Sequence, residues 1–199
     1  MIFAGLTGGI ATGKSSVCSI FKSFEIPVID ADILARDIVR PGEYWWLSVV
    51  QSFGDGILLS DGNIDREKLG RIIFSDKTAR DKLDNSLHPL IIKKLLKDAE
   101  KLKKSMAGSL IIADVPLLIE SGMHKYFDKI ILVYSERETQ ICRLIKRNNL
   151  TTEDAKKRVN SQMPIEQKRK FADFIIDNCG SFVDLEINVK ELFFKLGES

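Results

Sequence analysis

The run Gly8-Gly9-Ile10-Ala11-Thr12-Gly13-Lys14-Ser15 fits G-x-x-x-x-G-K-[ST] at each fixed position. It follows a short apolar run and opens a segment with helical spacing, which is the context the motif requires. Such a loop turns the backbone so that several amides converge on one point. The helix that follows, with Ser16 in its first turn, adds about half a positive charge there. Lys14 reaches the β- and γ-phosphates as a point charge, and the Ser15 hydroxyl is a hard oxygen ligand for Mg²⁺. The chemistry this points to is phosphoryl transfer, with ATP and Mg²⁺ as the expected cofactors.

Carboxylates and further cations are needed around such a loop. Asp30 and Asp32 follow a second apolar run, at the edge of an α/β sheet where ligands bind. If the strand extends that far, their spacing of two puts both on one side. One of them could accept the proton of an attacking hydroxyl. The plainer reading of Asp30 is a helix cap for the pattern that starts near Ile33. Asp114 ends the apolar run Leu110–Ala113, the form of a carboxylate that holds Mg²⁺, with capping again the plainer alternative. Gln140, Arg143 and Arg147 fall on one helix face, where arginines could clasp a moving phosphoryl group or form a solvated stripe.

The elements that must position these residues alternate along the chain. Ile2–Leu6, Ile26–Ile29, Leu110–Ala113, Lys129–Val133 and Phe174–Ile176 read as strands, continuous in apolarity as in a parallel sheet covered on both faces. Helical spacing runs over Lys14–Phe24 and Arg137–Arg147. The expectation is an α/β fold with a doubly wound, five-stranded parallel sheet. Two stretches interrupt the rhythm. About 80 residues between the second and third strands carry helical patterns over Asp65–Phe74, Lys77–Leu87 and Pro89–Lys104. The charged stretch 148–170, with a helix start at Thr151-Thr152-Glu153-Asp154 and a break at Pro164, reads as a lid. The expected organisation is one domain over 1–199, with its core in 1–40, 106–147 and 171–199, a helical acceptor insert over about 41–105 and a lid over about 148–170.

Composition narrows the classes. A net charge of +2 does not call for a nucleic-acid partner. No apolar run reaches the length of a membrane span, and no signal peptide is evident. The three cysteines, Cys18, Cys142 and Cys179, have no paired spacing and read as reduced thiols of a cytoplasmic protein. The lysine-rich pattern Ile91–Lys104 reads as the solvated face of a packed helix.

Longer blocks extend the match. Gly5 to Ser15, then Val28-Ile29-Asp30-Ala31-Asp32-Ile33-Leu34-Ala35-Arg36, resemble the dephospho-coenzyme A kinase family. So do Asp65-Arg66 with Leu69-Gly70, His88-Pro89-Leu90-Ile91, and Asp114-Val115-Pro116-Leu117-Leu118-Ile119-Glu120-Ser121-Gly122. Gln140, Arg143, Arg147, Gln162 and Ala172 to Gly180 complete the pattern. The resemblance implies a P-loop fold of the nucleoside-monophosphate-kinase type and ATP-dependent phosphorylation of the ribose 3′-hydroxyl of dephospho-coenzyme A. It implies Asp32 as base and metal ligand, and Asp30, Arg66, His88 and Pro116 on the acceptor side. It further implies Lys14, Arg143 and Arg147 on the phosphates, Asn178 near the adenine, and Ser15 and Asp114 on Mg²⁺. The expected partner is the small-molecule acceptor, without membrane or nucleic acid, on a monomer or weak homo-oligomer. Rival readings are a P-loop kinase for a nucleotide, shikimate or gluconate, and a P-loop switch protein. The guanine-reading N-K-x-D of such switches does not occur in the sequence.

Overall fold

Strand β1 (Ile2–Gly8) is buried from Phe3 onward, and the apolar run Ile2–Leu6 within it has a structural cause. It lies at the centre of a five-stranded parallel sheet in the order β2-β3-β1-β4-β5, with β2 Val28–Asp30, β3 Leu110–Asp114, β4 Lys129–Tyr134 and β5 Phe174–Asp177. A strand flanked on both sides and covered on both faces favours apolar residues, and its one polar side chain, buried Thr7, is hydrogen-bonded. The computed structural model describes residues 1–105 and 110–197. The core boundary expected at 106 and the chain end at 198–199 lie outside the described residues.

The register pairs Ile2 with Leu110 and Leu6 with Asp114 on one side of β1, and Ala4 with Lys129 and Gly8 with Val133 on the other. The strand order reverses at β1, so the loop after Gly8 emerges at the sheet's switch point, where open α/β sheets bind ligands. Helix α1 (Lys14–Ser23) buries Val17, Ile20 and Phe21 against alternate sheet residues Ala4, Leu6, Ile112, Ile131 and Val133. The last helix packs on the same cluster through Leu185, Val189, Leu192 and Leu196.

The chain forms two compact units, one of residues 1–29 with 98–199 and one of residues 30–97. The second contains α2 (Ala31–Ile38), α3 (Tyr44–Phe53), α4 (Arg66–Ser75) and most of α5 (Lys77–Ser105). Its core is Val49, Ile57, Ile64 and Leu83, and the Trp46 indole donates to the Gly62 carbonyl at 2.7 Å. Helix α2 falls within this second unit. Two local details differ from the sequence patterns. The helical patterns over Lys77–Leu87 and Pro89–Lys104 are a single helix, α5, which runs through Pro89. Proline removes one i→i−4 bond, and the turns on either side of a 29-residue helix keep theirs. The strand does not extend as far as Asp32: β2 stops at Asp30, and Asp32 lies in the first turn of α2.

The first unit continues through α6 (Arg137–Asn148), α7 (Thr152–Asn160), the short α8 (Ile165–Lys168) and α9 (Phe182–Gly197). The Thr151 hydroxyl accepts from the Asp154 amide, the cap expected from the sequence. Helix α7 packs Ala155 and Val159 on Ile141 and Leu144 of α6 and on Ile10 and Ala11 of the loop. No described helix is long and apolar enough to cross a membrane.

Ile112 is fully buried in the cluster that joins the sheet to α1 and the last helix. Ile112→Ala should lower unfolding free energy by about 2–5 kcal/mol in a denaturant titration. A loss below about 1 kcal/mol would contradict this packing.

Candidate active site

The loop after β1 is shaped by two left-handed residues, Ala11 (φ 60°) and Gly13 (φ 89°). Gly13 is the N-cap of α1 and no side chain caps the helix there, so its first amides are open to a ligand. Glycine is required at 13 on two grounds: the positive φ, and a Cβ that would collide with the Asn178 carboxamide.

The back of the loop is fastened to the ends of neighbouring strands. The Thr12 carbonyl accepts from Asn178 Nδ2 at 2.7 Å, and the Ser135 hydroxyl and Arg143 lie at 3.3 and 3.5 Å. Arg143 also donates to Ser135 Oγ at 3.0 Å and to the Asn178 carbonyl at 2.8 Å. Ser135 is held in turn by buried Gln140, which donates to its carbonyl at 2.9 Å. A trans peptide is planar, so fixing the Thr12 carbonyl rearward turns the Gly13 N–H the other way. Thr12 closes the loop as well, with its amide and hydroxyl both donating to the Gly9 carbonyl.

On the open side, Lys14 is ion-paired with Asp114. Both side chains are largely buried, at 15% and 12% exposure, so the pair is shielded from bulk screening. Asp114 therefore does not cap a helix. Its second oxygen accepts from the thiol of Cys18, one turn beyond Lys14 on α1, at 3.3 Å. Burial, reinforced by the Asp114 charge, pushes that thiol up to about 12. Ser15 is exposed at the helix start. A hydroxyl and a carboxylate are the oxygen donors that suit Mg²⁺. Among the described residues no three His, Cys, Asp or Glu side chains cluster as a metal cage, so a cation here would complete its shell with phosphate and water.

The remaining expected residues divide. Asn178 is buried and its side chain serves the loop. Arg143 stands behind the loop, while exposed Arg147 donates to Asn148. The Pro116 carbonyl accepts from Thr7 at 3.0 Å. In the second unit, Asp30 caps α2 by accepting from the amides of Asp32 and Ile33 at 2.9 and 3.0 Å. Asp32 is exposed, and His88 is half-buried in α5. Arg66 lines a cavity of about 820 Å³ with Arg36, Arg40, Asp61 and Asp65, and donates to the Arg36 carbonyl. The sequence reading missed Ser135 and Lys168. Lys168 is fully buried, donating to Glu120 at 2.8 Å and to the Gly8 carbonyl at 3.3 Å.

With this geometry in view, comparison with known proteins is decisive. A family model for dephospho-CoA kinase matches residues 2–184. The chain belongs to the dephospho-CoA kinase family. A dephospho-CoA kinase of Arabidopsis thaliana is 43% identical, over 98% of this chain and 84% of that protein. One of Listeria monocytogenes is 46% identical, over 95% of this chain and 92% of its own. The solved dephospho-CoA kinase of Campylobacter jejuni is 32% identical with a TM-score of 0.74, covering 98% of this chain and 97% of its own. The matched span takes in the whole loop, Asp114, Ser135, Arg143, Lys168 and Asn178.

The thiol chemistry gives a check on the buried cluster. With its acidity suppressed, Cys18 stays protonated and inaccessible at about pH 8, where exposed thiolates are alkylated. Intact-mass analysis of the native protein with iodoacetamide should find exposed Cys142 and Cys179 modified and Cys18 modified only after denaturation. Native labelling of Cys18 as fast as Cys142 would contradict the Asp114–Cys18 contact.

Proposed function

We propose that this member of the family transfers the γ-phosphoryl group of ATP to the ribose 3′-hydroxyl of dephospho-coenzyme A. The observation that carries the reading is a phosphate loop with open amides and an ion-paired lysine, on a chain matched by the family model almost end to end. The hydroxyl oxygen forms a bond to the γ-phosphorus, the bond from that phosphorus to the β–γ bridging oxygen breaks, and ADP leaves with that oxygen. The proton of the hydroxyl goes to a carboxylate.

Asp32 is that carboxylate in our reading. It is exposed, and the Asp30 side chain fixes the start of its helix. Lys14 exchanges Asp114 for phosphate oxygens when the triphosphate binds. Ser15 and Asp114 would hold a Mg²⁺ ion, which neutralises phosphate charge when bound. Arg143 keeps its positive charge close behind the loop, where Coulomb attraction on the triphosphate is least screened. Arg147, on the last turn of α6, is the second cation for the transferring group. Asn178 sets the loop on the adenine-nucleotide side. Arg66 and His88, with Pro116 and Asp30, serve the acceptor; the 820 Å³ cavity beside Arg66 also carries Arg36, four carboxylates and an Arg40 paired with Asp37.

The test is product identity. Incubation with ATP and dephospho-coenzyme A should yield a new 3′-phosphomonoester by phosphorus NMR. Lys14→Ala should abolish it with the fold intact by circular dichroism. Asp32→Asn should lower kcat by at least about 10²-fold, the scale of a lost general base. Undiminished turnover in Lys14→Ala would overturn the phosphate assignment, and an Asp32→Asn variant that loses only ATP affinity would overturn the assignment of the base.

A further inference from the structure

Lys168 is the only fully buried ammonium among the described residues. A charge removed from water persists only where its partners are strong. The partners here lie on two other segments: the Glu120 carboxylate in the turn after β3, at 2.8 Å, and the Gly8 carbonyl at the end of β1, at 3.3 Å. The same Glu120 oxygen accepts from the Met163 amide at 3.4 Å. One residue earlier, the Gln162 carboxamide oxygen accepts from the Ile10 amide at 2.8 Å. The segment 162–168 at the foot of the lid is thus tied to the phosphate loop at Ile10 and Gly8, and to the turn after β3 through Glu120.

The Gly8 contact bears on the loop directly. The peptide joining Gly8 to Gly9 is planar and trans, so a carbonyl held by Lys168 sends the Gly9 N–H away from the ammonium. Gly9 packs closely on its other side, where an added Cβ would lie 2.7 Å from Gln140 Oε1, so no side chain fits there without a shift. The first peptide of the loop is therefore oriented by Lys168 as the peptide between Thr12 and Gly13 is oriented by Asn178 and Arg143.

We infer that Lys168 is a positioning residue for nucleotide binding: it sets the first peptide of the phosphate loop and fastens the foot of the lid to it. This rests on the phosphate-loop reading above. It acts through the backbone and touches no reacting atom.

The test separates positioning from stability. Lys168→Met, Lys168→Arg and the double variant Glu120→Leu with Lys168→Met are compared with wild type by ADP calorimetry, thermal melting and steady-state kinetics. Lys168→Met alone leaves the Glu120 carboxylate without its cation and is the variant at risk of misfolding. The double variant removes both charges and should regain melting temperature. Lost orientation should weaken ADP binding about tenfold in both methionine variants and raise KM for ATP more than it lowers kcat. Lys168→Arg should restore ADP affinity to within about threefold, since it retains the charge and the donors. Wild-type ADP affinity in the double variant would overturn the inference and leave Lys168 a purely structural ion. Wild-type protein that binds ADP but does not phosphorylate dephospho-coenzyme A would instead sink the functional reading and leave the ADP comparison to judge Lys168.

Discussion

A phosphate loop must present its amides outward, and amides can be held outward only if the carbonyls on the same peptides are held inward. In this protein the constraint falls on the Thr12 carbonyl. It receives the Asn178 carboxamide from the end of β5, and the Ser135 hydroxyl and Arg143 guanidinium from the end of β4 and from α6. Each of these groups is buried or half-buried, so leaving the carbonyl unpartnered would cost about 1–3 kcal/mol. The sheet order follows as a requirement. Strands β4 and β5 lie on the same side of β1, so their C-terminal ends sit behind the loop that β1 feeds.

The open side obeys a second register. Pairing of Leu6 with Asp114 sets the carboxylate at the height of the loop, where Lys14 meets it. A buried lysine–carboxylate pair is weak evidence for stability, because desolvation offsets much of the attraction. Its value here is poise. In the proposed reaction the ammonium is already in place and largely shielded from water, so an incoming phosphate would replace one anion with another. Cys18 holds the second carboxylate oxygen and limits how Asp114 can turn.

What the sequence made legible was local. The five strands, the loop, the Thr151 cap and the place of Asp114 all follow from residue types within a few positions of one another. Relations between distant segments were hidden. Lys168 and Gly8 are 160 residues apart, and Ser135 and Thr12 are 123 apart. A lysine among charged residues in a lid pattern reads as solvated, and only the fold reveals that it is buried. The patterns on either side of Pro89 read as separate stretches, whereas the fold joins them in one long helix that tolerates the lost bond. The plainer reading of Asp30, a helix cap, is met by its Oδ1, which accepts from the amides of Asp32 and Ile33.

The central claim is that the held loop delivers phosphate to dephospho-coenzyme A in particular. The most direct measurement is ADP release by the purified protein with ATP and each of dephospho-coenzyme A, adenosine, AMP and shikimate, beside a control with water alone. The account predicts rapid release with dephospho-coenzyme A and near-background release with the others. Equal release in the water control, or preference for another acceptor, would contradict it.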